Sequence, residues 1–218
     1  MALQIKAVIF DRDGVLTYFD VVTAVAFFQP ILPISLEEIA RRWAKRGKEI
    51  GFPRSLAEEV AFFRGFWAAI SVDLGLSDEI RSQLQRFEYT SCMLPFLDAR
   101  PALLEARQRK LGIGVLSNFS LASLDGSLAA VDLAELVDVA CAATVIGAAK
   151  PDAKAYLTIT QLLGIQPEEC LFFDDEIACV EGGRAVGMQA YLVDRQRTDH
   201  DIAKGIVCDL TAVAQILG

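Results

Sequence analysis

The fold is decided by the stretch Ala7-Val8-Ile9-Phe10-Asp11-Arg12-Asp13-Gly14-Val15-Leu16-Thr17. A short apolar run, typical of a buried strand, leads directly into two aspartates separated by one residue. Residues two apart in an extended chain share a face, so Asp11 and Asp13 can converge, and Gly14 allows a sharp turn after them. One carboxylate can attack while the other moves protons. Taken alone, an Asp-x-Asp-Gly sequence is more often a solvated acidic turn.

Three later apolar runs also end in polar residues, and each brings a different chemical group. They are 113–116 before Ser117-Asn118, 139–143 a short loop before Lys150-Pro151, and 170–173 before Asp174-Asp175-Glu176. Such runs are typical of strands buried on both faces of a parallel sheet, whose ligands bind outside the carboxyl ends. We therefore predict an α/β fold with a doubly wound, Rossmann-like parallel-sheet core. The hydroxyl, ammonium and carboxylate groups should meet Asp11 and Asp13 at one edge of that sheet.

Helix signals lie between these predicted strands. Pro101 suits the first turn of a helix that runs toward Lys110 and is stopped by Gly112. Further helices are predicted near 123–130 and over 152–163, followed by a last clear strand over 188–193. The sequence shows no internal repeat and no low-complexity linker.

The segment between Asp13 and Ser117 is far longer than one crossover helix requires, so a separate unit is inserted there. Capping boxes at Ser35 and Ser55 and a cap at Ser77 predict three or four helices. Aromatic and aliphatic residues at helical spacing, Phe62, Phe63, Phe66, Trp67 and Ile70, are expected to fill a small core of their own rather than to contact a ligand. The predicted boundaries are 18–92 for this unit and 1–17 with 93–218 for the sheet core.

The four motif segments together resemble the haloacid dehalogenase-like superfamily of aspartate-nucleophile phosphohydrolases. They are 11–17, 116–118, 150–152 and 172–175 continuing to 188, and they span nearly the whole chain in the family's order. A helical insertion after the first motif is similar to the cap of the phosphoglycolate phosphatase-like and beta-phosphoglucomutase-like branch. The resemblance implies a hydrolase whose helical cap closes over the carboxyl edge of the sheet.

Phosphoryl transfer chiefly needs positioning and charge neutralisation, which indicates a role for each motif residue. Asp11 is the predicted nucleophile, and Asp13 is predicted to protonate the leaving alcohol and later to activate water. Ser117 can hydrogen-bond a phosphoryl oxygen, and Lys150 can place a positive charge against it. Ser117, Asn118 and Lys150 are therefore the predicted substrate-binding residues.

The Asp11 carboxylate and the substrate phosphate are both anions and repel each other. A hard cation, Mg²⁺, is therefore the predicted cofactor. Asp11 and Asp175 are natural side-chain ligands. The resemblance adds the backbone carbonyl of Asp13, whereas the position of Asp174 is glycine in many relatives and acidic in others. Metal ligation by Asp174 is left open on the sequence.

Two residues depart from the family's pattern. Arg12 fills a position that is frequently apolar, and its cation could point along the cap interface or toward substrate. Cys179 stands where many relatives carry Asp or Asn, so metal affinity is expected to be lower than usual.

Composition excludes several classes of partner. The formal net charge of −8 argues against nucleic acid, which is bound through clustered Lys and Arg. The N-terminal sequence has no secretion signal and the apolar run 21–28 is too short to span a bilayer, so a cytoplasmic protein without membrane contact is expected. The expected oligomeric state is a monomer or weak homodimer.

Cysteine and histidine usage predicts no soft-metal centre. The five cysteines lack a C-x-x-C spacing and are expected to be reduced core residues. The single histidine, His200, is expected in a solvated loop that begins at Arg195.

These observations favour a Mg²⁺-dependent phosphatase that acts on a small phosphorylated metabolite through an aspartyl phosphate. A phosphomutase keeps every motif, and a receiver-like or non-catalytic phosphate-binding protein would also use clustered acids, a hydroxyl and a lysine. A haloacid dehalogenase is disfavoured, because relatives of that kind lack an acid where Asp13 stands. The substrate and the insert residues that select it, Lys48 or Arg54 among them, are left open.

Overall fold

The computed structural model describes residues 4–218, whose centre is a six-stranded sheet in the order β5-β4-β1-β6-β7-β8. Every adjacent pair in this sheet runs parallel. A second, two-stranded antiparallel sheet pairs β2 with β3. The strands are β1 (Ala7–Phe10), β2 (Thr17–Phe19), β3 (Met93–Pro95), β4 (Gly112–Ser117), β5 (Val139–Ala142), β6 (Cys170–Asp174), β7 (Gln189–Val193) and β8 (Ile206–Val207).

Strand β1 lies in the middle of the large sheet because all four of its residues are apolar and fully buried. Phe10 is in register with Val115 on one side and with Phe173 on the other. The Phe10 ring stacks on Phe173 with centroids 5.5 Å apart, and Phe173 stacks on Tyr191 at 5.4 Å. These stacked rings fix the carboxyl end of β1, so Asp11, the next residue, lies at the sheet edge between the ends of β4 and β6.

Helices cover both faces of the large sheet, which confirms the doubly wound α/β fold predicted from the sequence. One apolar cluster takes buried residues from α5, α6 and α10, and the cluster on the opposite face takes them from α8 and α9. The helices of the core are α5 (Ala99–Gln108), α6 (Leu124–Ala129), α7 (Ala143–Ile146), α8 (Ala153–Leu163), α9 (Ile177–Ala185) and α10 (Ala212–Leu217).

The predicted end of α5 was wrong by a few residues. The helix ends at Gln108, and Lys110 takes a left-handed φ of 61° that turns the chain. Gly112 does not stop the helix but opens β4, where a Cβ would lie 3.4 Å from the Cβ of Ala7.

Four helices between β2 and β3 form the helical insert: α1 (Val21–Phe28), α2 (Leu36–Ile50), α3 (Leu56–Asp73) and α4 (Asp78–Gln85). They share an apolar cluster built around Phe28, Phe66, Trp67 and Ile70. Within residues 4–218, no helix combines the length and the hydropathy that crossing a membrane would require.

The helix caps of the insert are present, but the two predicted capping boxes form only in half. The Ser35 and Ser55 hydroxyls accept hydrogen bonds from the N–H groups of Glu38 and Glu58. The glutamates do not reach back to the capping residue. Glu38 pairs with arginines of its own helix, and Glu58 accepts from the backbone N–H of Arg54 at 2.8 Å.

The β2–β3 ladder joins the helical insert to the sheet core. Thr17 pairs with Pro95 and Phe19 with Met93, so the strand that enters the insert and the strand that leaves it lie side by side. We propose that the boundary predicted at 17/18 and 92/93 runs through this ladder, with residues 18–92 as one unit. Two adjacent strands are a suitable hinge because they bend together without exposing a core.

Candidate active site

The polar residues that follow the apolar runs meet at the carboxyl edge of the large sheet. Asp11 follows β1, Ser117 ends β4, and Asp174 ends β6 with Asp175 directly after it. Lys150 comes from the loop before α8. Because β1 lies between β4 and β6, these side chains surround Asp11. Lys150 and the carboxylates of the fourth motif thus lie close to Asp11 at this edge, whereas Asp13, also expected among them, pairs with Arg12.

Lys150 is a buried cation held between two aspartates. Its Nζ lies 3.0 Å from Oδ1 of Asp11 and 2.6 Å from Oδ2 of Asp174, and its side chain is 1% exposed. Burial alone would lower the pKa of Lys150, but attraction by Asp11 and Asp174 outweighs burial and raises it. The ammonium therefore stays charged beside the candidate nucleophile.

Negative charge exceeds positive charge around Asp11. One oxygen each from Asp11, Asp174 and Asp175 lies within 4.8 Å of the others. Across residues 4–218, the cation paired with this group is Lys150, so three carboxylates against one ammonium leave a formal excess of two negative charges. Burial raises the pKa of Asp11 to about 7 and also raises that of Asp174, while burial and the charge of Asp174 raise that of Asp175. The cluster lacks positive charge that a divalent cation would supply.

Gly14 leaves the space that Asp175 occupies. Its φ is +77°, and a Cβ at this position would lie 2.2 Å from Oδ2 of Asp175. A side chain here would both strain the backbone and displace the carboxylate. The glycine of the first motif is thus required by the position of the acid from the fourth motif.

Asp13 is not in the carboxylate cluster and pairs with its neighbour Arg12. Nε of Arg12 donates to Oδ1 of Asp13 at 3.1 Å, and Nη2 donates to Oδ2 at 2.5 Å. The Arg12 side chain is 3% exposed, donates to Ser127 Oγ at 3.0 Å and lies 3.8 Å from the ring centroid of Phe119. The role of Arg12, left open by the sequence, includes holding the Asp13 carboxylate.

Ser117 and Asn118 hold different places in the site. Ser117 is 3% exposed at the end of β4. The Asn118 amide fixes the backbone of Lys150, because Nδ2 donates to the carbonyl of Lys150 at 2.9 Å and Oδ1 accepts from the N–H of Lys150 at 2.7 Å. The amide has a second N–H, so substrate binding by Asn118 stays a prediction.

Arg195 supports the first motif and was missed in the sequence, where it was assigned to a solvated loop. Its Nε donates to the carbonyl of Gly14 at 2.9 Å, and Nη2 donates to that of Val15 at 2.5 Å. The guanidinium also pairs with Asp98 at 3.2 Å and stacks on Phe96 at 3.5 Å. The sequence offered one indication of this role, the position of Arg195 two residues after the predicted strand that ends at Val193.

Cysteine and histidine expectations were met in part. Four cysteines are buried free thiols and Cys208 is half-buried. Cys179 is 1% exposed, and burial raises the pKa of its thiol to about 12. His200 is not fully solvated, since its Nδ1 accepts from the N–H of Cys208 at 3.1 Å.

Glu59 connects the helical insert to the sheet core. Although it belongs to α3 of the insert, its carboxylate accepts hydrogen bonds from the N–H groups of Ala122 and Ser123 at 2.8 and 2.9 Å and from Ser123 Oγ at 2.6 Å. Glu59 is 7% exposed. A weaker second link is formed by Arg54, whose Nε donates to the carbonyl of Thr144 at 3.4 Å. The insert is thus held against the loop that follows β4.

Replacing Glu59 should loosen this connection without unfolding either part. We expect Glu59→Gln to speed hydrogen exchange at the amides of Ala122 and Ser123 on the order of tenfold, because a neutral amide accepts more weakly than a carboxylate. The matched control is Glu58→Gln, at the preceding residue of α3. The Glu58 carboxylate accepts a hydrogen bond from the N–H of Arg54 within the insert. Equal exchange in both variants would show that Glu59 does not hold the two parts together.

The fold and the cluster of polar side chains at the carboxyl edge of its parallel sheet are those of a hydrolase with an α/β fold. The family model described as haloacid dehalogenase-like hydrolase matches residues 5–187. The chain therefore belongs to the haloacid dehalogenase-like hydrolase family, as the order of its motifs indicated.

Relatives within the family carry out more than one reaction. The chain is 42% identical over 221 residues to Phosphatase MT3486 of Mycobacterium tuberculosis, covering 99% of this chain and 98% of that protein. It is 27% identical to the (S)-2-haloacid dehalogenase of Pseudomonas sp. strain YL, covering 88% and 83%. The structure of a HAD phosphatase from Thermococcus onnurineus superposes with a TM-score of 0.65 at 20% identity over 98% of both chains. This last likeness concerns the fold alone.

Proposed function

We propose that this protein is a metal-dependent phosphatase that hydrolyses a phosphate monoester through an aspartyl phosphate on Asp11. The observation that carries the proposal is the pairing of Asp11 with Lys150 at 3.0 Å inside a carboxylate cluster, with a second acid, Asp13, two residues away. The full-length likeness to Phosphatase MT3486 supports the same reaction class.

In the first step, an oxygen of Asp11 attacks phosphorus and the bond from phosphorus to the ester oxygen breaks. Asp13 gives its proton to that departing oxygen, which leaves as an alcohol. Lys150 and the Ser117 hydroxyl stabilise the negative charge that develops on the phosphoryl oxygens. Lys150 is positioned for this by Asp174 and by the Asn118 amide.

In the second step, water attacks the phosphorus of the aspartyl phosphate and gives a proton to Asp13. The bond from phosphorus to Asp11 then breaks, which restores both carboxyl groups and releases phosphate. Both oxygens of Asp13 accept from Arg12 in this structure, and each keeps a second lone pair for the proton that Asp13 gives or takes. The Asp13 side chain is 51% exposed and has room to turn.

The residues fit the expected Mg²⁺. The excess negative charge of the cluster suits an ion held by oxygen atoms, and Gly14 gives the Asp175 carboxylate the room it needs beside the first motif. Asp11 and Asp175 would hold it with the backbone carbonyl of Asp13. Both oxygens of Asp174 already accept, from Lys150 and from the N–H of Glu176 at 2.9 Å, so Asp174 contributes chiefly by placing Lys150. When bound, the ion neutralises the phosphoryl oxygens that approach Asp11.

Asp175→Asn tests this metal site. We expect Mg²⁺ to raise the melting temperature of the wild type and to have little effect on the variant, because a ligand stabilises the folded state by about 2.7 kcal/mol at one hundred times its Kd. Without metal, the variant should be as stable as the wild type at neutral pH or more stable. The raised pKa of Asp175 means that its charged form is unfavourable in the folded state, and asparagine removes that charge.

The control is Asp125→Asn, which removes an exposed carboxylate from α6. It should keep the full response to Mg²⁺ in differential scanning fluorimetry. A response to Mg²⁺ that survives in Asp175→Asn, or full phosphatase activity in the presence of a chelator, would contradict the metal assignment.

A dehalogenase reaction is the main alternative, since relatives of that activity match much of the chain. A halide leaves without needing a proton, whereas an alkoxide leaves poorly without one. The acid at position 13 therefore favours phosphate esters. A phosphomutase would return the phosphoryl group to its substrate, and a receiver-like or other binding protein would not turn over. Release of inorganic phosphate from a panel of esters with Mg²⁺ distinguishes the proposal from all three.

A further inference from the structure

A large apolar pocket lies between the helical insert and the loops that follow β1 and β4. Its volume is ≈ 620 Å³, within the usual range for a small-molecule site. Arg12 and Asp13 form its polar end, next to the candidate nucleophile. The other walls come mostly from aromatic side chains of the insert, among them Phe28, Trp43, Phe63, Phe66 and Trp67, and Phe119 lies beside Arg12.

Few side chains in this pocket can satisfy a hydroxyl-rich ligand. The polar ones are Arg12, Asp13, Glu37, Tyr89 and Ser120 among nineteen lining residues, and the first two are already paired with each other. The Tyr89 hydroxyl, also at the wall, is hydrogen-bonded to Ser123 at 2.8 Å. Each sugar hydroxyl buried here without a partner would cost about 1–3 kcal/mol. An apolar body meets no such cost and gains from leaving water.

The position of Asp13 connects the pocket to the reaction. As the proposed general acid, Asp13 meets the ester oxygen, which is bonded to phosphorus on one side and to the substrate's first carbon on the other. With phosphorus at Asp11, the carbon side of that oxygen faces the pocket that Asp13 lines. The pocket is thus where the alcohol part of the substrate lies.

We infer that the substrate is the phosphate ester of an apolar hydrocarbon alcohol, whose chain lies in this pocket against the aromatic wall. The inference rests on the proposed function and adds the substrate class to it. The alcohol product leaves from the same pocket after protonation by Asp13. Sugar phosphates and nucleoside monophosphates are disfavoured because their hydroxyl groups would find few partners.

A series of linear alkyl phosphates tests the substrate class. From ethyl to octyl phosphate, kcat/KM should rise about fourfold per methylene, on the order of 10³-fold in total, because each methylene leaves water for an apolar wall. Glucose 6-phosphate should be a far poorer substrate than octyl phosphate. A flat series, or a preference for the sugar phosphate, would overturn the inference while leaving the phosphatase proposal intact.

A substitution in the pocket wall should change how strongly kcat/KM depends on the length of the alkyl chain. Ala40 is an exposed residue of α2 that lines the pocket, and Ala40→Glu places a charge there without removing core packing. We expect kcat/KM to fall about tenfold or more for octyl phosphate and to fall far less for ethyl phosphate, whose short chain reaches less of that wall. The control Ala44→Glu, one turn further along the exposed surface of α2, should leave both values unchanged. Equal behaviour of the two variants would contradict the pocket assignment.

Binding can be measured apart from catalysis, because the two tryptophans of the chain, Trp43 and Trp67, both line this pocket. In the Asp11→Asn variant, octyl phosphate should change the intrinsic tryptophan fluorescence, and ethyl phosphate at equal concentration should not. No fluorescence change with octyl phosphate would overturn the inference. A clear change without turnover by the wild type would leave the pocket assignment standing and overturn the proposed phosphatase reaction.

Discussion

Asp11→Asn is expected to lower phosphatase turnover by about 10³-fold or more with every phosphate ester. The amide keeps the size of the carboxylate but lacks the charge that attacks phosphorus. At saturating Mg²⁺ the effect should appear in kcat, since Asp11 is also a proposed metal ligand, while Ser117, Lys150 and the pocket remain to bind substrate. Initial rates with 4-nitrophenyl phosphate and Mg²⁺ are the direct measurement.

Stability separates this catalytic loss from misfolding. The pKa of Asp11 is raised to about 7, so its ionised form is disfavoured in the folded protein, and a neutral side chain of the same size is tolerated there. Asp11→Asn should therefore melt near the wild-type temperature without metal. Asp125→Asn, the exposed control, should keep both stability and activity. Turnover of Asp11→Asn at even a tenth of the wild-type rate would place the nucleophile elsewhere.

Asp13→Asn should show a loss that depends on the leaving group. General acid catalysis is worth about 10²–10⁴-fold, so alkyl phosphates, which release a strongly basic alkoxide, should lose activity by that factor. An activated aryl phosphate needs little protonation and should still phosphorylate Asp11. Breakdown of the intermediate should then be slow, because the attacking water has lost its base.

Stopped-flow kinetics would record this as a burst of aryl alcohol followed by slow steady turnover. Asp11→Asn is the matched control and should show no burst, since it cannot form the intermediate. Unchanged steady-state rates on both classes of ester in Asp13→Asn would remove Asp13 from catalysis. The principal chemical reason for preferring a phosphatase over a dehalogenase would then be lost as well.

The sheet and the polar residues at its carboxyl edge were predictable, because short sequence patterns that recur in a fixed order determine both. Each of β1, β4 and β6 is a short apolar run that ends in a polar residue, and parallel strands bring such ends together. The insert followed from chain length and from the serine caps. Its helix starts are set by residues within three positions of each other, which sequence patterns record well.

Contacts between distant residues were not predictable. Arg195 holds the Gly14 carbonyl, and Glu59 holds Ser123, yet neither pattern differs from a surface arginine or a helix-face glutamate. Arg12 was ambiguous because its partners, Ser127 and Phe119, lie more than a hundred residues away along the chain, outside the motifs. Such pairs are set by packing of whole elements, which no local pattern records.

The aromatic residues of α2 and α3 illustrate the same limit for the site. Their helical spacing correctly indicated that Phe66 and Trp67 are buried in a core. Spacing could not show that the same side chains also face a pocket opening toward Asp13. The spacing of apolar residues on a helix predicts which side chains are buried. Whether a ligand can contact those side chains depends on how the insert lies over the sheet.

The position of the phosphoryl group tests the central claim most directly. Wild-type protein is mixed with substrate and Mg²⁺, quenched rapidly in acid, digested and analysed by mass spectrometry, with a hydroxylamine-treated sample in parallel. The account predicts a hydroxylamine-sensitive phosphoryl group on Asp11 in the peptide that spans the first motif. Phosphate release with no covalent intermediate, or a phosphoryl group on a residue other than Asp11, would contradict it.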